Sequence, residues 1–163
     1  PIHGYLGTTN QMKGWNKNWI KCFINLRINP QLELLEKDFL AIDIKHKLRT
    51  KIESELGEHE PFNSLVHGDL WSGNVGVNQI NKGVIFDPAC WWADCEVDLA
   101  MTRLFGNFRS EFYDNYHKIV PIKKGFEKRI IIYNFYHILN HANMFGGAYL
   151  HQVQSYIKNI LSM

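Results

Sequence analysis

His67-Gly68-Asp69-Leu70-Trp71-Ser72-Gly73-Asn74 is the stretch on which the reading of this chain turns. It places a carboxylate, Asp69, and a carboxamide, Asn74, five residues apart on one loop. Short β-prone pieces flank the loop, Ser64 to Val66 before it and Val75 to Val77 after it. Such a pair has a specific chemical use: the carboxylate can orient a hydroxyl and take its proton, while the amide oxygen ligates a metal ion nearby. The bland alternative is a His-Gly-Asp turn whose Asp caps backbone N–H groups.

Working outward, Val84 to Phe86 forms a third β-prone piece, separated from the second by the turn-like Asn78-Gln79-Ile80-Asn81-Lys82-Gly83. The last two pieces read as a hairpin, which returns the chain so that Asp87, thirteen residues after Asn74, comes to lie beside it. The loop fits the kinase pattern H-x-D-L-x-x-x-N, with Asp87 in the place of the second metal-binding carboxylate. One Asn and one Asp, with no His or Cys cluster, form a hard oxygen set suited to Mg²⁺ shared with phosphates.

Around this centre the pattern is helical. Trp15, Trp19, Ile20 and Phe23 recur at spacings that predict an amphipathic helix over 16–28, ending before Pro30. Ile44, Leu48, Ile52 and Leu56 predict a helix over 44–56, with Asp43 as N-cap and Gly57 as its stop. Further helices are expected over 97–105, 110–119, 126–144 and 149–161. The fold class is therefore α+β, mainly helical, with one small hairpin. No repeat or linker divides the chain, so 1–163 reads as a single domain.

With 163 residues, 45% apolar and 21% charged, the composition is that of an ordinary globular domain. A net charge of +2 without a basic run gives no reason to expect a nucleic-acid or anionic-membrane partner. The apolar runs fall far short of the roughly 20 residues of a membrane span. Three cysteines, Cys22, Cys90 and Cys95, form neither a disulfide framework nor a zinc motif, which fits a reducing, cytoplasmic setting. The chain opens at Pro1 in a Gly-rich stretch (Gly4, Gly7, Gly14) that reads as the middle of a protein.

HGDLWSGN at 67–74, FDPACWW at 86–92, EVDLAMTRLFGNF at 96–108 and NHANMFGGAYL at 140–150 together resemble the fructosamine/ketosamine kinase family. So does the opening, Tyr5-Leu6-Gly7-Thr8-Thr9 followed by Trp15 and by Pro30-Gln31-Leu32. The likeness covers nearly the whole chain, and Trp71 within the loop sets it apart from aminoglycoside and choline kinases. The resemblance implies the C-terminal lobe of a protein-kinase-like, aminoglycoside-phosphotransferase-like fold. It also implies ATP- and Mg²⁺-dependent transfer of phosphate to a sugar hydroxyl of a ketosamine, free or on a glycated lysine. Asp69 would be the catalytic base, Asn74 and Asp87 the Mg²⁺ and nucleotide-phosphate ligands, and Trp71, His141 and Asn143 candidates to face the sugar, with Asn140 and Phe145-Gly146-Gly147 nearby.

The chain departs from a complete kinase in one respect. No Gly-rich phosphate-covering loop followed by a strand Lys is found, so the nucleotide-covering N-terminal lobe is expected to be absent from it. A second reading follows: a non-catalytic remnant that binds a sugar-amine or a partner, or self-associates, through an apolar face left uncovered. A kinase for another small hydroxyl substrate is the third. His67 is expected to hold the loop backbone, and Asp98 to accept backbone hydrogen bonds or cap the next helix. His137 and His141, four residues apart, are read as packing rather than as a metal pair.

Overall fold

The structure is a computed structural model that describes residues 4–36 and 39–163. Its first element is a hairpin, β1 (Gly4–Leu6) paired with β2 (Thr9–Gln11), in the opening that the sequence marked only as Gly-rich.

The first helical stretch corrects the expected 16–28 segment in both position and end. Trp15 lies outside it; α1 (Trp19–Phe23) begins at an Asn18 N-cap, whose side chain accepts from the Lys21 N–H at 2.9 Å. The helix does not stop before Pro30. It passes through a π-helical segment, Ile24–Ile28, directly into α2 (Asn29–Leu34), with Pro30 in the first turn of α2. The wider π turn carries the Asn29 N–H to the Ile24 carbonyl. Pro30 has no N–H to offer the Leu26 carbonyl, and the Arg27 guanidinium takes that role, with Nη1 donating at 2.8 Å.

Helix α3 (Ile42–Leu56) buries Leu48, Ile52 and Leu56 completely, as their four-residue spacing requires. Ala41, not Asp43, holds its N-cap position; Asp43 sits in the first turn, where its charge favours the helix dipole. Strand β3 (Asn63–Val66) leads into the 67–74 loop, which closes with a 3₁₀ turn at Ser72–Asn74. The hairpin is present as β4 (Val75–Val77) paired with β5 (Gly83–Ile85). Strand β6 (Trp91–Asp94), which is not among the β-prone pieces read from the sequence, pairs antiparallel with β3.

The remainder is α4 (Glu96–Leu104), α5 (Ser110–Ile119), α6 (Phe126–Phe145) and α7 (Ala148–Ser162), within a residue or so of the expected bounds. Helix α6 is the axis of the molecule: it packs on α7, α4, α2 and α3 and is buried on nearly every side. Helix α7 presents Val153, Ile157 and Ile160 to it as a single stripe. The fold is thus mainly helical α+β, with three two-stranded sheets among the described residues. Trp19 and Trp91 stack in the core, while Trp15 and Trp92 are exposed. Cys90 is also exposed.

Candidate active site

The 67–74 loop is fixed from beneath by Asp98, in the first turn of α4. Its two carboxylate oxygens accept from the backbone N–H groups of His67 (2.7 Å) and Gly68 (2.9 Å). Burial raises the pKa of Asp98, and the two backbone hydrogen bonds oppose that rise. His67 is the second brace. Its Nε2 lies 2.9 Å from the Phe86 carbonyl, which can only accept, so Nε2 carries the proton and Nδ1 is left to accept from the Asp69 N–H. The Ala89 N–H donates to the His67 carbonyl at 2.9 Å. His67 therefore ties the loop to the segment that follows the hairpin, the structural role its position suggested.

Gly68 is required where these two segments meet. It has φ +81°, and a Cβ there would lie 2.2 Å from the Ala89 carbonyl oxygen.

Asp69 and Asn74 form a clasp. The Asn74 Nδ2 donates to the Asp69 carbonyl (2.8 Å) and to its carboxylate (3.1 Å), so both amide hydrogens are committed and Oδ1 is the atom left for a cation. The Phe86 N–H donates to the Asn74 carbonyl, closing the base of the hairpin. Asp87 follows in a left-handed conformation, φ +57°, with its side chain exposed. Burial pushes the Asp69 carboxyl pKa up. The Asn74 hydrogen bond and the nearby His141 and His67 pull it down, and the charge of Asp87 pushes it up again.

Asp69 opens onto a cavity of about 300 Å³ walled by Trp71, Phe105, His141, Phe145 and Tyr149. The rings are interlocked: Trp71 meets Phe105 edge-on at 6.1 Å, and His141 lies 4.8 Å from Phe105 and 5.0 Å from Tyr149. The His141 Nδ1 is bonded to the His137 carbonyl one turn earlier, and His137 is wholly buried, so the two imidazoles do not converge on a shared point. Asn140 lines the cavity, whereas Asn143 spends its amide on the Gln31 carbonyl (2.9 Å) and side chain (2.7 Å) and is not among the lining residues.

The structure also contains a polar network that the sequence did not announce. The Asp94 carboxylate meets His59 Nε2 at 2.6 Å and accepts from the Tyr133 hydroxyl at 2.8 Å, while Glu96 holds Arg129 by two bonds of 2.6 and 2.8 Å. His59, Asp94 and Glu96 are close enough to share a cation. The Arg129 guanidinium already occupies the Glu96 carboxylate, however, so the group reads as a hydrogen-bonded brace between β6, α4 and α6. Nothing in the local sequence marks these residues, because their proximity is created by tertiary packing.

The loop and hairpin have the layout of the phosphotransferase class in which an Asp and an Asn, five residues apart, serve the acceptor and the metal. The particular membership is plain: the chain belongs to the fructosamine kinase family, whose family model matches residues 1–163. A Vibrio parahaemolyticus protein described as a probable ketoamine kinase is 47% identical over 159 residues, 97% of this chain and 54% of that protein. The ketosamine-3-kinase of Mus musculus is 38% identical over 160 residues, 96% of this chain and 50% of its own length. A crystal structure of a candidate fructosamine-3-kinase from Haemophilus somnus 129PT superposes with a TM-score of 0.86 at 31% identity, covering 98% of this chain and 55% of that one. The chain thus spans about half the length of the curated relatives it matches.

Proposed function

We propose that this chain is the catalytic-loop half of an ATP-dependent kinase that phosphorylates a sugar hydroxyl of a ketosamine, such as a fructosamine or ribulosamine adduct. The observation that carries the reading is the Asp69–Asn74 clasp opening on a small aromatic-walled cavity. Its volume is at the small end of small-molecule sites, and sugars present apolar C–H faces that suit Trp71 and its neighbours. The names of the family and of its relatives support the same substrate class.

In this reading Asp69 accepts a hydrogen bond from the acceptor hydroxyl and takes its proton as the oxygen attacks the γ-phosphorus of ATP. The new P–O bond forms as the bond to the β-phosphate oxygen breaks, and ADP leaves. Most of the rate comes from positioning. Asp98 and His67 hold the loop so that the Asp69 carboxylate keeps its aim. Asn74 and Asp87 fit Mg²⁺: the amide is oriented with Oδ1 available, Asp87 is exposed and directly follows Phe86, whose N–H bonds the Asn74 carbonyl, and both are hard oxygen donors. When bound, Mg²⁺ neutralises charge on the phosphates.

The expected uncovered apolar face fits this assignment. Val77, Ile80, Ile85 and Phe86 are exposed on the hairpin that joins Asn74 to Asp87, where a nucleotide and its covering lobe would sit. A self-associating remnant would use the same face. The three free cysteines fit the reducing, cytoplasmic setting of this reading. No helix among the described residues is long and apolar enough to cross a membrane.

The test is a coupled ATP-consumption assay on the full-length protein with Mg²⁺, offering ribulosyl-lysine and fructosyl-lysine. Asp69→Ala should lower turnover by about 10³-fold or more while leaving the fold intact. Normal turnover by that variant would reject the assignment of Asp69, and no turnover by the wild type on either adduct would reject the substrate class.

A further inference from the structure

A second cavity, larger than the one at Asp69 at about 960 Å³, lies elsewhere on the chain. Four tryptophans line it. Trp19 and Trp91 are buried and stacked 5.7 Å apart, while Trp15 and Trp92 are 85% and 53% exposed. Arg27 also lines it, with its guanidinium 3.9 Å above the Trp91 ring, yet the residue is only 4% exposed.

The bonding of Arg27 is incomplete. Nη1 donates to the Met12 and Leu26 carbonyls, at 3.0 and 2.8 Å. Nε is buried without a partner, and among the described residues the guanidinium's hydrogen bonds are those of Nη1. Among the described residues, no carboxylate lies within ion-pair distance of Arg27, and none lines the cavity, whereas Lys17 does. Arg129 provides the contrast: it is buried to the same degree and holds Glu96 by two hydrogen bonds.

A guanidinium withdrawn from water without a counter-charge is strongly unfavourable, and the Trp91 face offsets only part of that cost. Desolvation accordingly lowers the pKa of Arg27. The unused edge, Nε with Nη2, is the side-on fork that matches two oxygens of a carboxylate or phosphate.

We propose that this cavity is an oxyanion site, in which a carboxylate or phosphate pairs with the Nε–Nη2 edge of Arg27 and the attached group lies against the tryptophan walls. This holds whatever the acceptor of the phosphotransfer reaction. The oxyanion has two available sources, a free small molecule or an Asp or Glu from the part of the full-length protein outside this chain. Both have the same chemistry at Arg27, and one experiment separates them.

Wild-type full-length protein, Arg27→Gln and Arg27→Lys are compared by thermal unfolding and tryptophan fluorescence in rising sodium phosphate or sodium citrate, with ionic strength held constant by NaCl. Gln keeps an amide at the position of Nε but neither the charge nor the reach of Nη1; Lys keeps the charge. A free oxyanion gives the wild type a saturable rise in Tm and a saturable fluorescence change, both lost in Arg27→Gln. An oxyanion supplied by the polypeptide gives no response to either salt, but Arg27→Gln loses about 4 °C or more, or fails to fold, while Arg27→Lys recovers over half of the loss. The proposal is overturned if a salt response persists undiminished in Arg27→Gln, or if neither salt acts and Arg27→Gln either stays within about 4 °C of the wild type or loses more without Arg27→Lys recovering over half of the loss.

Discussion

His137 is the residue whose surroundings most constrain its chemistry. It sits in the middle of α6 with no exposure, and neither ring nitrogen has a hydrogen-bond partner among the described residues. Burial, with a smaller contribution from the nearby His141, lowers its pKa from 6.5 to about 3. The sign of the resulting pH dependence follows. Above about pH 6.5 the ring is neutral in both folded and unfolded chains and adds no slope. Between about 6.5 and 3 the unfolded chain takes up a proton that the folded chain refuses, so stability is lost as pH falls, by at most about 1.4 kcal/mol per pH unit. His137→Phe keeps a ring in the site and removes the titration. The Tm of the full-length variant should vary less between pH 6.5 and 4 than that of the wild type, and should exceed it at pH 5. An unchanged acid slope would mean that other groups dominate acid unfolding.

Among the elements, the junction of the 67–74 loop with the segment before β6 is the tightest. Gly68→Ala adds a methyl group against the Ala89 backbone, which cannot turn aside as a side chain would, and does so at a φ that Ala disfavours. The expected cost is about 2–4 kcal/mol, read as a lowered denaturant midpoint. Gly83→Ala at the start of β5 meets nothing within 4 Å and serves as the contrast, with an expected change of about 0.5 kcal/mol or less. Equal midpoints for the two variants would remove the steric argument. The elements also show why the sequence was legible in some places and not in others. The 67–74 loop, the β4–β5 hairpin and helices α3 to α7 carry local signals: turn residues, four-residue apolar spacing and a fixed interval from Asp69 to Asn74. The continuation of the first helix through Pro30 does not, because it depends on a π-helical turn and on Arg27 bonding the Leu26 carbonyl. Strand β6 was hidden for a related reason: its pairing with β3 is long-range, and Trp91-Trp92 reads equally well as core or surface. The aromatic walls come from two separate places in the chain, Phe105 after α4 and Phe145 with Tyr149 at the α6–α7 junction, and only folding brings them together around Asp69.

At the scale of the whole molecule, stability is distributed unevenly around α6. Thirteen of its twenty residues are buried, and it carries Arg129 and Tyr133, which tie it to Glu96 and Asp94 and so to α4 and β6. It also carries His141, a wall of the catalytic-loop cavity. Opening α6 would therefore expose the core and dismantle both the brace and the site wall together, which makes its opening equivalent to global unfolding. Helix α5 is the opposite case. None of its ten residues is fully buried, and it rests on the body through half-buried Phe112, Tyr113 and Tyr116, with the Tyr113 hydroxyl bonded to Thr102. It can detach while the rest of the chain stays folded. Native-state amide exchange on the full-length protein should accordingly find the central amides of α6 exchanging only by global opening, with free energies that track denaturant stability. Those of 113–119 should exchange through a local opening that costs several kcal/mol less and depends weakly on denaturant. Equal protection of the two helices would show that α5 is held by contacts beyond this chain, and would place it inside the cooperative unit that supports the catalytic loop.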